Sequence, residues 1–357
     1  MSRVYLDHNA TTPLRAQARE AMLRAMDVVG NPSSVHAEGR AAKAIVEKAR
    51  GQISDALGAS GADIVFTSGA TEAAALAFSK WNGVLGTLDA ANIEHDAVNA
   101  WVSSGLQVDE NGIVCIVEDE GAQHDPIVLQ LANSETGVMQ SLTDAVVVSD
   151  LTQAFGKVPF AFDWLGCEAG LISAHKLGGP KGVGAYIVQR GVDVPAVIPG
   201  GGQEMGRRSG TENVIGIAGF GAAAEAAQRD VADGKWDRIE KLRNILEKAL
   251  AAASKTTIFV GKEATRLPNT SCFITPGWKG ETQVMQMDLA GFAISAGSAC
   301  SSGKVKASRV LKAMGYSELE AASAVRVSLG LETTEEDVLR FVDVWAQKLK
   351  KHEARAA

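Results

Sequence analysis

Short apolar runs rich in β-branched residues recur through the first two-thirds of the chain, separated by turn residues or alanine-rich stretches. Asp63–Thr67 (DIVFT) reads as a strand, and the alanine-rich 72–80 stretch after it reads as a helix. Further strands are expected at 113–117, 127–132, 145–149, 170–173 and 183–189. Such alternation favours an α/β unit with a mostly parallel sheet. From about 215 to 252 the pattern turns helical and charged, broken near Asp233-Gly234. Beyond it, strands are expected at 257–260, 271–275 and 324–328, then an amphipathic helix from about Glu335. The change from alternating elements to an α+β mixture suggests a boundary near residue 229. No internal repeat is visible.

Composition narrows the class. The 357 residues, 46% hydrophobic and 22% charged, can bury a substantial core. A formal net charge of −7 argues against a nucleic-acid backbone as partner. Cys115, Cys167, Cys272 and Cys300 are dispersed, with no CxxC pair and no histidine spacing of a zinc site, so no metal is expected. That usage fits a reducing, cytoplasmic compartment. MSRVYLDHNATTP holds no apolar segment of a secretory signal, and no stretch approaches the ~18 residues that span a bilayer.

Three places carry candidate chemistry. In LISAHKLGGPKGVGAYIV (171–188) a lysine stands where an apolar run meets a glycine-rich loop. Lys176 could simply be a charge extending from a strand end. It could also be a Schiff-base lysine, which needs a partly desolvated amine. Ser173 and His175 beside it are donors suited to a phosphate. TSGATE (67–72) lies between a strand and a helix, and is either a plain capping turn or an anion cradle at a helix N-terminus. Asp150 follows the apolar 145–148 run, where a carboxylate would point into the ligand crevice of an open α/β sheet. Facing a pyridine nitrogen, it would keep pyridoxal 5'-phosphate (PLP) protonated and able to accept electrons.

The motifs extend well beyond these three. LDHNATTP (6–13), GNPSSVHAEGR (30–40), TSGATE, EHDAV (94–98), NSETGVMQ (133–140) and DLTQAFGK (150–157) come first. SAHKLGGPKGVGA (173–185), GGGQEMGRRSGTEN (200–213), SAGSACSSG (295–303) and RVSLG (326–330) follow in the same order. With this set the chain resembles the cysteine desulfurases of the NifS/IscS type, PLP enzymes of the class V aminotransferase family with the aspartate-aminotransferase-like fold. The resemblance implies a fold type I α/β architecture, with a large PLP-binding domain at 13–228. A smaller α+β domain, formed by 1–12 and 229–357, would carry the cysteine loop.

By the same resemblance, Lys176 holds the cofactor and moves protons once substrate displaces it. Asp150 pairs with the pyridine nitrogen, Gln153 with the phenolic oxygen, and His95 stacks on the ring and relays protons as a catalytic residue. Ala70, Thr71, Ser173 and His175 hold the phosphate. Thr211 reaches the phosphate of the other subunit, which implies a homodimer. Arg326, assisted by Asn31, grips the carboxylate of L-cysteine. Cys300 takes the sulfur as a persulfide and passes it to an acceptor or scaffold protein, for iron–sulfur cluster assembly. Its Gly, Ser and Lys neighbours favour exposure and thiolate, whereas the other three cysteines read as small buried hydrophobes.

Some positions depart from the family pattern. Ser134 replaces the usual second asparagine, which contacts the cofactor, and Ala74 and Ala75 replace asparagines. The stretches 95–133 and 140–150 are each about ten residues short, roughly one crossover helix apiece. A helix is therefore expected to be missing between Val138 and Asp144, leaving an apolar surface on which an acceptor could dock near Val138 and Leu142. A selenocysteine lyase, or a non-catalytic sulfur-trafficking protein of the same fold, remains the alternative.

Overall fold

The computed structural model describes residues 3–79, 88–116, 125–297 and 307–356. The chain begins with a short strand, β1 (Val4–Tyr5), and two helices, α1 (Ala16–Met26) and α2 (Ala37–Leu57). The helices are faint in the apolar pattern because alanine makes up much of their buried stripe. In α2 the buried positions Ala42, Val46, Ala49, Ile53 and Leu57 recur at helical spacing. His36 caps its start, its Nδ1 accepting the Gly39 N–H at 3.3 Å, and Gly58 ends it at φ 60°.

Alternation then begins with β2 (Ala62–Thr67) and α3 (Ala70–Ser79), as the pattern predicts, and β3 (Asp89–Ala91), α4 (Asp96–Asn99) and β4 (Ser103–Val108), which the pattern does not mark, lead to β5 (Val114–Cys115). The strands β6 (Ile127–Val128), β7 (Val146–Asp150), β8 (Ala169–Ser173) and β9 (Gly184–Gln189) complete an eight-stranded sheet among the described residues. Its order is β2-β9-β8-β7-β6-β3-β4-β5. Strands β8, β7, β6, β3 and β4 pair in parallel, while β9 runs antiparallel between β2 and β8. β2 consequently points the same way as β8.

Two expectations need adjustment here. The strand expected over 127–132 is regular only at Ile127–Val128, with a register shift between those two residues, although the Leu131 N–H still bonds to the Asp150 carbonyl at 3.0 Å. Cys115 is exposed rather than buried, because alternation on the edge strand β5 turns Val114 inward and Cys115 out. Val117, at the end of the strand expected over 113–117, lies outside the described residues.

Helix α5 (Val214–Ala232) packs on α1 and α2, and the break at Asp233-Gly234 leads into α6 (Lys235–Ala253). After β10 (Ile258–Phe259) and β11 (Thr270–Ile274) come α7 (Gly280–Leu289) and β12 (Phe292–Ala293). The last elements are α8 (Arg309–Ala313), α9 (Glu318–Ala321), β13 (Ala324–Ser328) and α10 (Glu335–Ala356). The antiparallel β10-β11-β13 sheet shares a core with α6 and α10, in which Phe273, Trp278, Phe341 and Trp345 are fully buried. β1 pairs in parallel with β12, so the start of the chain joins this second core. No helix among the described residues is long and apolar enough to cross a membrane.

Residues 138–144 contain no helix, as the short link requires. The apolar surface expected beside it is nevertheless covered. Val138 is fully buried and bridges to Arg266, and the Met139 N–H bonds to the Thr265 carbonyl at 2.9 Å. Gly137, at φ 77°, brings the turn so close to β11 that a Cβ there would stand 2.7 Å from the Thr270 Cβ. Chain from the second core thus takes the place of the missing helix, and Leu142 packs against the main core. A docking surface centred on Val138 is therefore ruled out.

Candidate active site

Parallel strands bring their C-terminal ends to one edge of the sheet, and most of the candidate residues are there. Ala70 follows β2, His95 follows β3, Asn133 follows β6, Asp150 ends β7, and Lys176 lies in the turn after β8. The local pattern marks Lys176, Asp150 and the turn at 67–72, whereas only the family resemblance singles out His95.

Asn9, fully buried, joins these ends to the second core. Its backbone carbonyl accepts from Lys176 Nζ at 2.8 Å and from Gln153 Nε2 at 2.9 Å, and Lys176 Nζ is also 2.9 Å from the Ala10 carbonyl. Its side-chain oxygen accepts from Lys157 Nζ at 3.1 Å and Asn269 Nδ2 at 3.1 Å, and its Nδ2 donates to Thr270 Oγ1 at 2.9 Å. Lys157 Nζ donates in turn to Gln153 Oε1 at 2.6 Å. Asn9 lies in a quoted motif, but nothing in its local sequence singles it out. Lys157 likewise closes DLTQAFGK without any local mark.

The phosphate candidates form a second group. Ala70 and Thr71 open α3, where backbone N–H groups lack helical partners, and Thr71 is exposed. Nothing stands within 4 Å of a Cβ built on Gly69, so the mouth of this turn is open. Ser173 is buried at the end of β8. His175 Nδ1 is 3.2 Å from Thr11 Oγ1. Burial, with the charges of Lys176 and Lys181, pushes its pKa down to about 4, so the ring is neutral near pH 7. Asp150 Oδ1 accepts the Thr152 N–H at 2.9 Å, and this turn fixes the direction of the carboxylate. Lysine, aspartate, helix N-terminus and hydroxyl donors together match the donor set PLP requires.

Arg326, on β13, reaches the same region from the second core. Its Nη2 donates to Asp7 Oδ1 at 2.7 Å and its Nη1 to the Ser134 carbonyl at 2.9 Å. Its Nε is buried and has no hydrogen-bond partner among the described residues. Ser134 therefore contributes its backbone at this corner. Asn31 is exposed in the loop before α2, its Oδ1 accepting the Ser33 N–H at 2.9 Å. Thr211 is exposed on the loop after Arg208, which pairs with Glu72 of α3 at 2.7 Å. His95 caps α4, its Nδ1 accepting the Ala97 N–H at 3.1 Å. Cys300 lies outside the described residues.

Glu94, beside His95, is fully buried. Its Oε1 accepts the Gln130 N–H at 2.9 Å and its Oε2 has no hydrogen-bond partner among the described residues. Burial first, and the Asp150 charge with it, push its pKa up to about 8. A carboxyl near 4.5 when unfolded and near 8 when folded binds its proton more tightly in the native state. The stability it provides is present at low pH and lost as pH rises through 8. Glu94→Gln should then melt with the parent at pH 5 and above it at pH 9, as followed by circular dichroism. A constant difference across that range would show that the carboxyl does not titrate there.

Comparison with known proteins comes to the same place. Residues 4–341 match the family model described as aminotransferase class-V. A protein of Dictyoglomus turgidum named cysteine desulfurase IscS is 35% identical over 98% of the chain and 95% of its own length. A cysteine desulfurase of Frankia is 39% identical over 96% of the chain and 90% of its own length. Among solved structures, a NifS-like protein from Rickettsia africae superposes with a TM-score of 0.88 at 32% identity, covering 98% of the chain and 99% of its own.

Proposed function

We propose, from the premise that the chain belongs to the aminotransferase class-V family and is one of its cysteine desulfurases, that Lys176 holds PLP and Cys300 receives the sulfur of L-cysteine. The observation that carries this reading is the place of Lys176 in the turn after β8, a strand that the sheet order sets between β7, which ends at Asp150, and β2, which leads into α3. Bound there, PLP would supply the electron sink that weakens bonds at the substrate's Cα and Cβ. Arg326 would hold the substrate carboxylate, with Asn31 assisting. Asp150 would hold the ring nitrogen, Gln153 the phenolic oxygen and His95 the ring. Lys176 Nζ would move the Cα proton. The Cys300 thiolate attacks the substrate sulfur as the Cβ–S bond breaks and its electron pair passes to carbon. Cβ gains a proton, alanine forms and Cys300 carries a persulfide. No outside oxidant or reductant is needed.

We divide the chain into a cofactor-carrying unit at 13–228 and a second unit made of 1–12 and 229–357. Delivery of the persulfide sulfur to an acceptor or scaffold protein of iron–sulfur cluster assembly, in the reducing cytoplasm, completes the reading. Holoprotein given L-cysteine should yield alanine and protein-bound sulfur in equal amounts, with the sulfur mapped to Cys300 by mass spectrometry. Turnover of selenocysteine alone would point to a lyase instead.

Thr211 is exposed on a loop rooted beside the phosphate cradle, which suits a contact to a second subunit. The expected assembly is a two-fold dimer with composite sites. Thr211→Ala should lower PLP affinity about tenfold, the loss of one hydrogen bond to a charged group. A monomer that holds full PLP at micromolar concentration in light scattering would refute this.

A further inference from the structure

Lys157 is fully buried, with only 2% of its surface exposed, and its amine lies between two side-chain oxygens. It donates at 2.6 Å to Gln153 Oε1 and at 3.1 Å to Asn9 Oδ1. On the other side of the same amide, Gln153 Nε2 donates at 2.9 Å to the Asn9 carbonyl. That carbonyl also accepts from Lys176 Nζ, so the Gln153 nitrogen and the Lys176 amine meet at one oxygen atom. A glutamine amide can sit either way round, and its partners decide which end faces where. A backbone carbonyl only accepts, and an amine with two nearby oxygens donates.

We infer that Lys157 is a positioning residue for the Gln153 amide: it takes the amide oxygen and thereby holds Nε2, with a second N–H to give, toward Lys176. This rests on the reading above, in which Gln153 faces the phenolic oxygen of a cofactor carried by Lys176. A flipped amide would set its oxygen against the Asn9 carbonyl and offer no hydrogen to the cofactor. Burial, then the charges of Lys176 and Arg326, hold the Lys157 pKa well below its usual value. Either protonation state still has two hydrogens for its two acceptors. Lys176 and Arg326, with His8, which feels the Lys157 charge in turn, are the titratable and charged groups that act on this amine.

The test uses the visible absorbance of the holoprotein, titrated with pH to find the midpoint at which the cofactor–lysine linkage loses its proton. The phenolic oxygen bears more charge once that proton has left, so a donated N–H lowers the midpoint. Lys157→Met and Gln153→Leu should each raise it by about one unit, a tenfold change in proton affinity. The double variant should match Gln153→Leu alone. A Lys157→Met midpoint equal to that of the parent would overturn the inference. So would a further shift in the Gln153→Leu background, because Lys157 would then act by its charge and not through the amide. An unmoved midpoint in Gln153→Leu would instead remove Gln153 from the cofactor, a separate failure that takes the inference with it. If Lys157→Met does not fold, as judged by the melting of the apoprotein, Lys157→Gln replaces it. Its amide can donate or accept and so dictates no orientation, and an unchanged midpoint in that variant would equally overturn the inference.

Discussion

Cys300→Ser should abolish alanine formation from L-cysteine while the protein keeps its cofactor and its colour. A serine hydroxyl is neither ionised near neutral pH nor able to hold a second sulfur, so the acceptor of the sulfur is lost outright. The other cysteines cannot take its place. Burial pushes the Cys167 thiol up to about 11 and the Cys272 thiol up to about 12, so both stay protonated and enclosed. Cys115 is exposed, but β7, β6, β3 and β4 lie between its strand and β8. Five strand spacings amount to about 24 Å, far beyond reach of a substrate held at Lys176. The expected loss is about 10³-fold or more in alanine production, with cofactor absorbance unchanged. Full turnover in the variant would sink the mechanism. Loss of PLP as well would mean that the substitution had disturbed the fold.

On the proposed function, Lys176→Ala would remove both the covalent anchor of PLP and the base that moves the Cα proton. Proton transfer by a positioned side chain is worth about 10²–10⁴-fold, and the loss of the covalent anchor adds to that. Melting of the apoprotein should change little. The Lys176 amine is half-buried, and the Asn9 carbonyl it leaves keeps its bond from Gln153. In the parent protein, borohydride reduction and peptide mapping should find the pyridoxyl group on Lys176. Lys157 is the telling control, since its amine shares the Asn9 neighbourhood and is pushed toward the neutral form by burial. Label on Lys157 or Lys181 would overturn the assignment.

The effects of these substitutions trace to different levels of organisation. The places of Lys176 and Asp150 at strand ends were legible from the chain alone because each follows an apolar run, and in a parallel sheet such ends share one edge. The break at Asp233-Gly234 and the terminal amphipathic helix were legible for a similar reason, since period and turn chemistry act over a few residues. The absence of a crossover helix at 138–144 followed from counting residues. What would cover the gap did not, because the segment near Arg266 that fills it is remote in sequence.

By itself, then, the sequence determined the strand–helix order, the ends at which chemistry could sit and the motif set that marks the family. Only the tertiary structure decided the environment of those ends. Asn9 receives the Lys157 amine from 148 residues away, and Arg326 meets Asp7 across 319. β1 finds β12 at the far end of the chain, and Glu94 acquires its raised pKa only when water is excluded around it. Desolvation and long-range hydrogen bonding have no local period. They come into being when the chain closes on itself, and a lysine such as Lys157 looks like any other until then.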